Sequence, residues 1–142
     1  MSMRFTTLFE RRRDEQILLA RVLLMGLFVI FGWDKLTNFS GTAAYMESMG
    51  LPLPTFAAFS ALVMEFFVGL AILIGYYTRP LALLLALYTV ITAFIGHRYW
   101  NIADTDAAHI ETMINFYKNM SIVGGLLLLC ILGPGKYSVD RR

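Results

Sequence analysis

Apolar residues fall in four long runs, over about 17–35, 56–77, 80–97 and 111–132, with short polar stretches between them. The second run is the most telling. Its twenty-two residues from Phe56 to Tyr77 carry one charge, Glu65. At helical rise the run is about 33 Å long, enough to cross the hydrocarbon core of a bilayer. Glu65 then stands about 14 Å from the outer edge, near the midplane. A carboxylate there costs roughly 2.5 to 3.5 kcal/mol even on a gentle insertion scale. Ala58, Ala61, Gly69, Ile72 and Tyr76 share its helix face, and the small ones among them admit a neighbouring helix. Glu65 therefore faces protein, and another part of the chain must satisfy it.

The first run is preceded by a basic segment, residues 1–16, and ends in Phe31-Gly32-Trp33-Asp34-Lys35. No small-x-small cleavage pattern follows, so the run reads as a retained transmembrane helix. Arg21 lies within it. It either snorkels to the headgroups or turns inward toward Glu65, since Arg21, Phe28, Gly32 and Lys35 share one face. Trp33, Asp34 and Lys35 mark the far interface. A short helix over about 41–49, capped by Ser40 and ended by Gly50, is expected on the outer mouth, unless the stretch is a plain loop. Pro52 and Pro54 forbid its continuation. Thr78 and Pro80 suit the start of the third helix, and His97 and Arg98 end it. Tyr88, Thr92, Gly96 and Tyr99 give that helix a weakly polar face suited to helix packing.

The fourth run carries Glu111, Asn115, Lys118 and Asn119 as a stripe on its outer half, with Gly124 and Gly125 on its apolar inner half. Gly133-Pro134-Gly135 stops it before a basic tail, residues 136–142. The expected fold is thus an all-α, four-transmembrane-helix bundle over residues 17–135, with a short periplasmic helix after the first crossing.

Composition sharpens this. The 142 residues are 58% hydrophobic and 15% charged, with mean hydropathy +0.63, well below the ~25% charge of a soluble domain. No basic stripe with interleaved aromatics suggests nucleic acid. A lone cysteine, Cys130, rules out an internal dithiol shuttle and reads as a small packing residue. Arg4, Arg11, Arg12, Arg13, Arg79, Lys136, Arg141 and Arg142 fall at one end of the bundle. Only Lys35 and Arg98 fall at the other, beside Asp34, Glu47, Asp104, Asp106 and Glu111. The positive-inside rule places both termini in the cytoplasm.

The intramembrane polar set is Arg21, Glu65, Asn115, Lys118 and Asn119. Helical rise puts Lys118 about 10 Å below the outer edge, so its stem can reach Glu65. The two form either a pair that fixes which helix faces meet, or the polar end of a pocket open to the outside. His97 can hydrogen-bond a ligand or serve only the interface. A haem between His97 and His109 needs imidazoles on rigid facing elements, and the spacing of His97, Asp104, His109 and Glu111 matches no established metal pattern.

Three stretches, ILLARVLLMGLFVIFGWDKLTNFSGT, LVMEFFVGLAILIGYYTRPLAL and NFYKNMSIVGGLLLLCILGPGKYSVDRR, resemble the DoxX family of small bacterial membrane proteins over roughly residues 17 to 142. The marks are Arg21, the Gly32–Lys35 helix end, Glu65 with Gly69, the Gly75–Arg79 turn, His97, and the terminal Gly-Pro-Gly with Ser138 and Asp140. Relatives include the membrane subunit of thiosulfate:quinone oxidoreductase and partners in oxidative-stress complexes. The resemblance implies a multi-pass protein of the bacterial inner membrane that binds a quinone in a polar intramembrane pocket, together with a soluble redox subunit or as a homo-oligomer. Glu65 and Lys118 would set the head group, with Asn115, Asn119, His97 and Arg21 completing the polar set. A proton-coupled small-molecule transporter is the alternative from another class, since one membrane glutamate can couple proton release to substrate binding, and a structural scaffold is the third.

The charge distribution makes the orientation testable. A reporter fused after Arg142 should report cytoplasm, and one inserted near Asp104 should report periplasm. The reverse pattern would invert the bundle.

Overall fold

The computed structural model describes residue 7 and residues 9–141. Residues 1–6 and 8 of the expected basic segment, Arg4 among them, and Arg142 lie outside the described residues. The chain forms α1 (Arg13–Thr37), α2 (Phe39–Ser48), α3 (Pro54–Leu62), a π-helical segment (Val63–Val68), α4 (Gly69–Ile74), α5 (Thr78–Gly96), a 3₁₀ turn (Tyr99–Asn101) and α6 (Ala107–Leu132). Because α3, the π segment and α4 run on as one rod, four helices are long and apolar enough to cross a membrane. The short helix after the first crossing is α2, as expected. Helical rods pair their backbone groups internally between their ends, as hydrocarbon requires.

The core is built from alternating large and small residues. Met25 and Phe28 of α1, Ile72 of α4, Leu85 and Ala86 of α5, and Leu126 of α6 are buried together. Ala58, Ala61, Gly69 and Ile72, expected on the face of Glu65, are all buried. Tyr76 is not, because the helix ends before it. Gly75 takes a left-handed conformation (φ 79°) and turns the chain at Ile74, so the second rod stops short of Tyr77. At Gly32, α1 comes very close to the π segment. A Cβ there would stand 2.5 Å from the Phe66 backbone nitrogen and 2.8 Å from the Glu65 carbonyl carbon. Only a hydrogen at this position lets α1 lie against the π segment.

Several local expectations need correction. Ser40 does not cap α2, which starts at Phe39 behind Asn38 with no side-chain cap. Thr78 does not cap α5 either. Tyr77, itself left-handed (φ 45°), precedes the helix, and the Thr78 hydroxyl is buried without a partner. The fourth span starts at Ala107, earlier than the polarity of residues 98–112 suggests, because the Asp106 carboxylate accepts from the Ala108 amide and caps it at 2.9 Å. Gly125 does pack closely, since a Cβ added there would stand 3.3 Å from Leu24, whereas one added at Gly124 would meet nothing within 4 Å.

The tail is part of the bundle. The Val139 and Asp140 amides donate to the carbonyls of Ile74 and Gly75 at 3.0 and 3.1 Å, and the Lys136 amide donates to Asp14 at 3.0 Å. The start of α1 and the chain beyond α6 therefore meet at one end.

Gly32→Ala should cost about 1–3 kcal/mol by overpacking, read as a lowered thermal midpoint in detergent. Gly26→Ala on the same helix, where nothing lies within 4 Å of the added carbon, should be neutral or slightly stabilising. Equal effects at the two positions would refute the tight α1–π contact.

Candidate functional site

Glu65 sits in the π segment, where the extra residue per turn changes the direction of successive side chains. Helical rise puts it about 15 Å from Gly75 at the closed end of the bundle. Its carboxylate is shared between two helices. Lys35 Nζ of α1 stands 2.8 Å from Oε2, and the Tyr88 hydroxyl of α5 donates to Oε1 at 2.8 Å. The pair keeps a little exposure, 18% for the Lys35 side chain and 16% for Glu65. Phe66 beside it packs on Trp33 and Phe67, at ring-centroid distances of 5.8 and 5.3 Å. The result is a charged pair and a phenol within an apolar wall. Acceptor oxygens, ammonium hydrogens and a hydroxyl are all present within one site.

Lys118, expected opposite Glu65, is not its partner. It is exposed on α6 and donates to Asn115 Oδ1 one turn away at 2.7 Å. Its stem thus runs along its own helix toward the outer end, as a snorkelling lysine does. Asn115 and Asn119 are half-buried, and Glu111 is exposed. The stripe therefore does not join α6 to the carboxylate. The reason is rotational: α6 packs most extensively on α5, through Phe116 against Phe94, whereas Glu65 faces α1 and the inner side of α5. His97 ends α5 within electrostatic reach of Lys118. His109 is held by the Ile102 carbonyl at 2.8 Å and lies 3.5 Å from Asp104. Among the described residues no group of three or more His, Cys, Asp or Glu is placed to hold a metal ion.

Arg21 overturns both of its expected roles. It neither snorkels nor meets Glu65. It is 1% exposed, and its two terminal nitrogens donate to the Pro134 and Tyr137 carbonyls, each at 2.5 Å. Arg79 fastens the same end by donating to the Cys130, Ile131 and Leu132 carbonyls, the last ones of α6, where a cation suits the helix dipole.

Two members of the trio were missed from sequence. Lys35 reads as an interfacial charge, yet it shares a face with Gly32, which touches the π segment. Tyr88 reads as packing, yet it lies on the most polar face of its helix. A pairing of those two faces was the available signal.

The family model that matches is DoxX, over residues 16–98. The chain belongs to the DoxX family. Lys35, Glu65 and Tyr88 all lie in the matched stretch, and α6 lies outside it. The chain is similar to inner membrane protein YphA of Escherichia coli, 48% identical over 134 residues and 94% of each chain. It is also similar to inner membrane protein YqjF of the same organism, 42% identical over 132 residues, 93% of this chain and 95% of that one. A Surfeit locus protein 4 homolog of Schizosaccharomyces pombe is 34% identical over 71 residues, half of this chain and 24% of that one. No solved structure matches. With its four apolar rods, this DoxX protein is a multi-pass protein of the inner membrane.

A stability cycle reads the pair directly. Glu65→Gln or Lys35→Met alone should each destabilise strongly, by up to about 3–5 kcal/mol, because each leaves a buried charge uncompensated. The double variant should recover part of that loss, while Lys118→Ala should stay within about 0.5 kcal/mol of wild type. Additive losses at Glu65 and Lys35 would refute the pair.

Proposed function

We propose that this DoxX protein is a membrane or accessory subunit that binds an apolar ligand with a polar head, such as a quinone, at Lys35, Glu65 and Tyr88. One observation carries the reading: the Lys35–Glu65 pair stays partly exposed although Glu65 stands in the middle of an apolar span. Ionisable groups at such depth are expensive and commonly serve a ligand or proton path. The chemistry of the three side chains suits a quinone ring. A carbonyl oxygen can accept from the ammonium hydrogens of Lys35 that Glu65 leaves free, and a quinol hydroxyl can donate to an unused lone pair of Glu65. Trp33, Phe66 and Phe67 supply flat apolar surface beside it. A soluble partner subunit would supply or remove the electrons. The head-group role expected of Lys118 passes in this reading to Lys35, and Asn115, Asn119, His97 and Arg21 stay outside the site.

A second reading has its own support. Each Glu65 oxygen already takes one hydrogen bond, so the trio can be a strut that joins α1, the π segment and α5 and serves no ligand.

Quinone content of lipid extracts separates the two. Equal amounts of wild-type protein and the Tyr88→Phe variant are compared after purification in mild detergent. Tyr88→Phe removes one hydroxyl and keeps the ring, so the bundle should insert and stay monodisperse. Bound quinone should fall several-fold in the variant. Equal quinone in both proteins, or none in either, would sink the quinone site and leave the strut, or a transporter detectable by proton-gradient-dependent flux in vesicles.

A further inference from the structure

At the end of the bundle that holds the tail, α1 and α6 do not close on each other. They leave a cleft of about 480 Å³ between Ile17, Arg21 and Leu24 on one side and Gly125, Leu128 and Leu132 on the other. Its walls are almost wholly apolar, and Gly125 makes the width, since any side chain there would grow toward Leu24. One wall residue does not fit an apolar cleft. Arg21 is a cation at 1% exposure, bonded only to two neutral carbonyls, and its Nε has no partner. Among the described residues no carboxylate pairs with it. A buried charge without a counter-charge is costly, and a negative group nearby lowers that cost.

The surface above the cleft carries more positive charge. Arg13, one turn before Ile17, continues the face formed by Ile17, Arg21 and Leu24, and it is exposed. Arg11, Arg12 and Lys136 are exposed around the same rim. The order along the bundle is thus a basic rim, a buried unpaired cation, then a leucine-walled slot.

We infer that this cleft binds one anionic phospholipid, its phosphate at Arg13 over the unpaired charge of Arg21 and one acyl chain in the slot between α1 and α6. Phosphate carries the charge that the rim and Arg21 lack, and an acyl chain matches the apolar walls. Basic pockets between helices on the cytoplasmic side hold lipid head groups by the same logic. The site lies at the opposite end from Lys35, Glu65 and Tyr88 and does not depend on the ligand proposed there.

Native mass spectrometry of the full chain in detergent, titrated with phosphatidylglycerol or phosphatidylcholine of matched acyl chains, tests it. Arg21 is left intact because it fastens the tail. One phosphatidylglycerol should be retained per chain in preference to phosphatidylcholine. Arg13→Gln, at an exposed position, should weaken that retention about fivefold. Gly125→Leu should fill the slot and abolish retention while the protein stays monodisperse. Millimolar inorganic phosphate should not displace the lipid. Equal retention of the two lipids, or undiminished retention in Gly125→Leu, would overturn the assignment. So would displacement by phosphate, which would make a free anion the ligand. A dimer lost in Gly125→Leu would overturn it as well, since the cleft would then hold a second copy of the chain.

Discussion

Burying ionised groups in a hydrocarbon slab is the constraint on which this bundle depends. Two such groups lie within the spans, Glu65 in the middle of its rod and Arg21 toward the tail end of α1, and each organises one half of the molecule. Glu65 draws in an ammonium from α1 and a hydroxyl from α5, so three rods meet at one carboxylate. Arg21 draws in the carbonyls of the tail, so the chain after α6 returns to the helix it started from. Neither contact is available to an isolated helix. The bundle therefore has to form for either charge to be tolerable, which ties helix association to charge satisfaction where lipid offers no hydrophobic drive.

Backbone geometry adapts to these contacts. The π segment places Glu65 between two helices, and Gly32 permits α1 to lie against that segment closely enough for Lys35 to reach down to it. Gly75 works in the same way at the other end. A Cβ there would stand 2.2 Å from that of Ser138 and 2.9 Å from Arg21 Nη1, so the absence of a side chain lets the tail and the arginine share one corner. Sites where the helix widens or a side chain is missing coincide with the places where polar groups converge. That coincidence is expected where function or charge satisfaction overrides regular packing.

The fold was legible because its signal is coarse. Four apolar runs of sufficient length determine four crossings, and α2 follows from the prolines and glycine around it. Pairing was not legible, because it depends on how each rod is rotated about its axis. Lys118 and Glu65 lie at similar depth, and depth is all that helical rise can supply. Phe116 packing on Phe94 turns Lys118 outward, and no count of residues along one helix contains that fact. Arg21 was unreadable for a different reason. Its partners are backbone carbonyls of Pro134 and Tyr137, which carry no residue-type signal at all. The trio was half legible: the faces holding Lys35 and Tyr88 were both polar, and only their meeting was missing.

The two ends of the bundle consequently differ in what they can admit. At the tail end, Arg21 and Asp14 fasten the chain after α6, Arg79 holds the last carbonyls of α6, and Gly133, Pro134 and Gly135 are buried. A ligand bound for Glu65 would have to break those bonds to pass that way. At the opposite end the connections between rods carry α2 and the 3₁₀ turn, and the Lys35–Glu65 pair keeps its residual exposure. An apolar ligand already dissolved in the bilayer needs neither route. It can approach from the side, past Trp33 and Phe67, which are both exposed beside the ring of Phe66. Lateral entry also leaves the tail undisturbed, so the lock at one end and access to the trio can coexist in a single conformation.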